Sequence, residues 1–171
     1  MLQDVLIVSA EGKLQNAHTL GDQKRMSDLY HLAYISRSTL GEHEVAVRHE
    51  IEQILEAAKR KNPPEGITGA LLYSGGYFCQ LLEGPAAGLE SLFETILSDD
   101  RHDRVEVLFF DPAPDRYFGA WAMAFAGYEA TPRFKISGVK ASQSDIHARS
   151  LGRNLVDALT RLVSEREQHI H

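Results

Sequence analysis

A polar amide in the middle of an apolar strand needs a partner. Gln80 stands inside the run Tyr77-Phe78-Cys79-Gln80-Leu81-Leu82, with a Gly-Gly turn before it and Glu83-Gly84 after it. Burying its amide unanswered would cost about 1–3 kcal/mol. The partner is either another side chain or a bound polar ring whose edge the amide reads. Tyr34 is the second residue of this kind, in the centre of Leu32-Ala33-Tyr34-Ile35-Ser36. Alternate residues of a strand share a face, so Tyr34 goes with Leu32 and Ser36, and Gln80 with Phe78 and Leu82. Where these strands are neighbours, phenol and amide can meet. A phenol can give up an electron together with its proton, and an amide beside it can relay that proton. The donor and acceptor ends of an amide are nearly isosteric, so rotation or tautomerisation exchanges hydrogen bonds at constant volume.

The elements that must hold these residues follow from periodicity. A strand rich in β-formers covers 29–36. Val47, Ile51, Ile54, Leu55 and Ala58 keep one helical face apolar over 42–60, and Asn62-Pro63-Pro64 ends that helix. Residues 66–73 read as a strand, Ser74-Gly75-Gly76 as a tight hairpin, and the Gln80 strand returns. Pro85 opens a second helix with Leu89, Leu92, Phe93, Ile96 and Leu97 on one side. Residues 105–110 form a fourth strand, and Trp121-Ala122-Met123-Ala124-Phe125 reads as a fifth, with its large residues on one face. The order β-α-β-β-α-β-β is the split arrangement of the α+β ferredoxin-like class, an antiparallel five-stranded sheet with two helices on one face. A further amphipathic helix over 145–163 carries Leu151, Leu155, Leu159 and Leu162; it is expected to dock on the free sheet face. Residues 5–8 are a short strand or one helical turn, and residues 1–28 are read as an N-terminal extension.

Composition narrows the function. With 171 residues, 43% hydrophobic, the chain suits one domain with some extra length, and its net charge of −6 argues against a general nucleic-acid or anionic-membrane binder. Apolar stretches are strand-length, so a cytoplasmic protein without membrane association is expected. Cys79 is the one cysteine, which excludes internal disulfides and thiolate metal cages. His43, His49, His169 and His171 read as solvated, with no metal set among them.

Five ordered motifs resemble the BLUF family of flavin-binding blue-light sensors: 32–37 around Tyr34, Asn62 followed by Gly66-Ile67-Thr68-Gly69, 78–84 around Gln80, Asp99-Asp100-Arg101-His102, and 118–123 ending in Trp121-Ala122-Met123. The resemblance implies a flavin-binding domain over 29–127 and a C-terminal helical extension over 128–171. By position it implies that Tyr34 is the light-reactive tyrosine, Gln80 the switching glutamine, and Asn62 the reader of the flavin's carbonyl and ring N–H edge. Ile54 and Ile96 match positions that sandwich the ring. Asp99, Arg101 and His102 match positions near its polar edge, ribityl chain or phosphate. Trp121 and Met123 match a pair whose exchange between inward and outward places reports the light state. Lys61 and Ala58 depart from the residues of relatives. The implied cofactor is non-covalent FAD, with FMN or riboflavin as alternatives.

Taken singly, Tyr34 would be a core tyrosine, Trp121 and Met123 packing residues, and 99–102 a solvated helix end. The same split fold also serves acylphosphatase-like enzymes and small-molecule modules. Arg37 would be the arginine for the former, but no Gly-rich loop surrounds it. The expected reading is a sensor rather than an enzyme. Its leftover residues are too few for a nucleotide-cyclase or phosphodiesterase domain, so output would pass to a downstream protein or through a homodimer or higher homo-oligomer.

Overall fold

The computed structural model describes residues 6–8, 14–16, 28–134 and 144–169. Strands β1 (Leu6–Val8) and β2 (Leu14–Asn16) pair antiparallel, so the apolar run near residue 5 is a strand over its described part. The main sheet comprises β3 (Leu29–Ser38), β4 (Thr68–Ser74), β5 (Tyr77–Pro85), β6 (His102–Pro112) and β7 (Ala124–Glu129), in the order β6-β3-β5-β4-β7. Helix α1 (Glu44–Lys61) joins β3 to β4, and α2 (Ala86–Leu97) joins β5 to β6. This is the expected ferredoxin-like α+β arrangement. Gly75 and Gly76, at φ of 55° and 89°, make the β4–β5 hairpin in a conformation that L side chains rarely adopt.

Two expectations are corrected. The sheet is mixed, because β7 lies beyond β4 and runs parallel to it. The fifth strand also begins at Ala124 rather than at Trp121. Its first three expected residues are held in a turn instead: the Trp121 N–H donates to Phe118 O at 2.9 Å, the Trp121 carbonyl accepts from Gly69 N, and the Ala122 carbonyl accepts from Asn62 Nδ2 at 3.0 Å. With those groups already bonded, the β4–β7 ladder starts at Ala70 opposite Ala124.

Alternation along the strands separates two cores. Tyr30, Leu32 and Tyr34 of β3 and Phe78 and Leu82 of β5 pack with Val47, Ile51, Leu89 and Phe93 of the two helices. Ala33 and Ile35, with Cys79 and Leu81, pack on the other face. That second face is covered by α3 (Ser144–Gln168), as the apolar stripe predicts: Leu155 and Leu159 are buried and Leu151 and Leu162 pack beside them. A Cβ on Gly152 of α3 would lie 2.5 Å from the Phe109 ring, so the missing side chain lets the helix approach β6 closely. Arg149 on the same helix pairs with Asp111 of β6 at 2.6 Å. Among the described residues, no helix is long and apolar enough to cross a membrane and no His, Cys, Asp or Glu cluster could hold a metal ion. His43, His49 and His169 are exposed; His171 lies outside the described residues.

Candidate functional site

Tyr34 and Gln80 are directly opposite in the β3–β5 register. The Tyr34 hydroxyl donates to Gln80 Oε1, and Gln80 Nε2 donates to Met123 Sδ at 3.3 Å. The amide is therefore answered by side chains. It also lines a cavity of about 160 Å³ between the sheet and the two helices, so the alternative of a bound ring stays available to it. Burial, with smaller contributions from Cys79 and Asp99, pushes the Tyr34 phenol's pKa above its ordinary value of 10. The hydroxyl keeps its proton, and that proton points at the amide.

The elements around the cavity bring the remaining expected residues together. Ile54 of α1 and Ile96 of α2 supply apolar walls. Asn62, the C-cap of α1, is 2% exposed and lines the cavity while its Nδ2 holds Ala122 O. Asp99 and Arg101 sit in the turn after α2, and His102 opens β6; all three line the cavity. His102 Nε2 donates to Ile96 O at 2.6 Å and its Nδ1 lies 2.7 Å from Ser36 Oγ, which fixes the ring beside Tyr34. Arg101 binds Asp99 through Nε and Nη2, the latter at 2.6 Å, and reaches Glu50 at 3.5 Å. The Arg101 hydrogen bonds outweigh burial and hold the Asp99 carboxyl below the usual carboxylate range. Lys61 and Ala58, the two departures, also line the cavity.

The expectation that Trp121 and Met123 share one face is not met. Met123 is 4% exposed and lines the cavity, whereas Trp121 is 39% exposed and lies outside it. The turn geometry at 121–123 replaces the strand alternation that would have aligned them. Sequence reasoning did not single out Thr95, the neighbour of Ile96, or Leu92, one helical turn before it, as cavity residues, although both line the cavity. It treated Glu83 as a strand end, yet Glu83 is fully buried. The signal was present: Cys79, Leu81 and Glu83 alternate onto one face of a strand with no solvated side.

A slot with isoleucine walls and a phenol, two amides and an imidazole at its base suits a flat ring with an apolar face and a polar edge. Fold and site thus define an α+β module with an interhelical slot suited to a flat cofactor. Comparison with known proteins agrees. The family model described as sensors of blue-light using FAD matches residues 29–124, and the chain belongs to this BLUF family, whose flavin is FAD. The dark-state structure of the BLUF protein BlrB is 30% identical, with a TM-score of 0.59 over 83% of this chain and 99% of that one. The blue light- and temperature-regulated antirepressor BluF of Escherichia coli is 39% identical over 74 residues, 43% of this chain. The photoactivated adenylate cyclase subunit alpha of Euglena gracilis is 35% identical over 103 residues, 60% of this chain. The match spans only 18% and 10% of the length of these two curated relatives.

Proposed function

We propose that this chain senses blue light through FAD held non-covalently between α1 and α2, with Tyr34 and Gln80 as the switching pair. The observation that carries this reading is the Tyr34–Gln80–Met123 hydrogen-bond chain at the base of the cavity. Bound there, FAD would absorb blue light and supply a one-electron oxidant. Ile54 and Ile96 would hold the ring between them, and Asn62 and Gln80 would read its polar edge. Asp99, Arg101 and His102 would lie toward its more polar parts.

Tyr34 is the residue placed to give up an electron, and its hydroxyl proton has Gln80 Oε1 as its first acceptor. Receiving or returning that proton lets the amide rotate or tautomerise, which replaces its bond to Met123 Sδ without a change of volume. Burial excludes water from the exchange, since Tyr34, Gln80 and Met123 are each no more than 5% exposed. Met123 leads directly into β7, and α3 packs on β7 and β6, so the altered contact has a covalent route toward the outer helix. The output would pass to a partner protein or to a second copy of this chain.

The acylphosphatase-like alternative is disfavoured by Arg37, whose guanidinium pairs with Asp103 at 2.5 Å rather than facing an open loop. The test is to purify the protein, supply FAD, and record spectra before and after blue light. A yellow protein with a small reversible red shift is expected. A colourless protein, or one whose spectrum ignores light, would end this reading.

A further inference from the structure

Glu83 is the fully buried carboxylate of the core, and the switching chemistry makes no use of it. It lies on the face of β5 opposite Gln80, in a row with its cross-strand neighbours His31 of β3 and Thr68 of β4. Thr68 Oγ1 donates to Glu83 Oε1 at 3.0 Å, and His31 Nε2 lies 3.1 Å from Oε2. The remaining acceptor positions are directed at the loop between β6 and β7: Tyr117 N–H donates to Oε2 at 2.6 Å and Phe118 N–H to Oε1 at 2.9 Å. Burying a carboxylate is costly unless such donors surround it. Here the donors outweigh burial and keep the Glu83 carboxyl below its ordinary range, so it is ionised.

What the carboxylate grips is the near end of the segment that reaches the cavity. Phe118 packs in the α3-side core, whereas Met123 packs in the core beneath α1 and α2. Between them the chain crosses from one face of the sheet to the other, and it carries Trp121 on the way. The far end is tied to cavity residues, through Asn62 Nδ2 on Ala122 O and Gln80 Nε2 on Met123 Sδ. Arg116 adds a strut, donating to Gly66 O at 2.7 Å and to Thr68 Oγ1 at 2.8 Å. One end of the crossing is thus anchored to the sheet, and the other rests on the switch.

We propose that Glu83 is a positioning residue of the photoswitch: by fixing the Tyr117 and Phe118 amides it provides the fixed end against which a displaced Met123 moves Trp121 and β7. Without that anchor, the same displacement would be absorbed by slack in the loop. The inference rests on the light-sensing reading above, but its first readout does not need light.

Trp121 is the only tryptophan in the chain, so emission excited at wavelengths too long for the six tyrosines reports this crossing alone. Glu83→Gln keeps the side-chain shape and replaces one of the two acceptor oxygens with an NH₂ that cannot accept from a loop amide. In the flavin-free full chain, lower Trp121 anisotropy and stronger acrylamide quenching than in the parent are expected, with the far-ultraviolet dichroism unchanged. In the FAD-loaded chain, E83Q should keep the red shift that reports Gln80 and lose the light-induced change in Trp121 emission. Thr68→Val, which removes one donor to Oε1 and one of the acceptors of Arg116, should move both readouts in the same direction by less, and it serves the comparison if E83Q does not fold. The proposal is overturned if folded variants keep the parent's Trp121 anisotropy and quenching, or if E83Q keeps the parent's light-induced emission change. Failure of the parent to bind FAD or to shift in light would remove the sensing reading instead, and the flavin-free measurement would still judge the anchor.

Discussion

The Tyr34 hydroxyl on β3 donates to the side-chain carbonyl of Gln80, the residue directly across from it on β5. Two features make this pairing more than a packing contact. The register sets the two side chains across from each other, and the other end of the amide donates to Met123 Sδ. A rearrangement at either residue is therefore felt by both the phenol and the thioether.

Removing either member should separate binding from switching. Tyr34→Phe leaves Gln80 Oε1 without its donor, at a stability cost of about 1–3 kcal/mol, and Gln80→Leu removes the amide at similar volume. Both variants should bind FAD and lose the normal red-shifted product. Difference spectra of the loaded proteins check this, and a Gln80→Leu protein that photocycles normally would exclude the amide as the switch.

Much of this pair was legible in the sequence, because period-two alternation decides which strand residues share a face. What alternation could not give was the stretch just before β7. There the carbonyls of Trp121 and Ala122 are taken by Gly69 N–H and the Asn62 side chain, partners more than fifty positions away in the chain. Such tertiary bonds override the local strand pattern, so the inward place of Met123 and the outward place of Trp121 appear only in the folded structure. Glu83 was hidden for a related reason: its donors come from a loop whose course no local pattern specifies.

Blocking the slot should remove colour without unfolding the protein. Ile96 is only half-buried and lines the cavity, so Ile96→Trp can fill the space between the helices. Loss of bound FAD after gel filtration, with a melting temperature close to the parent's, is the expected result.

Trp121→Ala should leave the primary red shift intact, since Trp121 does not line the cavity. It should change the dark recovery rate, because Trp121 belongs to the same turn as Met123. Recovery kinetics after a blue pulse, with unchanged values counting against the route, provide the check.

Stability should fall at both ends of the pH scale for identifiable reasons. The Glu83 carboxyl sits below its ordinary value of 4.5 when folded, so its contribution is present above that value and is lost as pH falls through the folded one. Tyr34 is shifted up from 10, and burial pushes the Cys79 thiol from 9 up to about 12. Their contributions are complete below the unfolded values and fade as pH rises toward the folded ones. Urea midpoints across pH should show an acid limb that is shallower in E83Q and an alkaline limb that is shallower in Tyr34→Phe.

The outer helix should prove integral to the fold. Leu155 and Leu159 are at most 1% exposed, and truncating one such side chain costs about 2–5 kcal/mol. Glutamate at both positions loses that packing twice and adds two unpaired carboxylates to an apolar interface, a cost comparable to the roughly 5–15 kcal/mol that holds a domain together. Thermal unfolding and light scattering in parallel distinguish loss of the fold from loss of an assembly; an unchanged melting temperature and mass would make α3 a solvated tail.

The alternation of β5 sets a sulfur on the opposite side of the strand from the amide. Cys79 precedes Gln80 in the chain, is wholly enclosed beneath α3, and keeps its hydrogen because burial holds its acidity so low. Its S–H stretching vibration falls in an infrared window clear of amide and water bands, and its frequency follows the strength of whatever the hydrogen touches. The molecule thus carries a native, label-free oscillator one residue from the switch and facing the opposite core. Light-minus-dark infrared spectra at that band would time the arrival of strain beneath α3 against the change at Gln80.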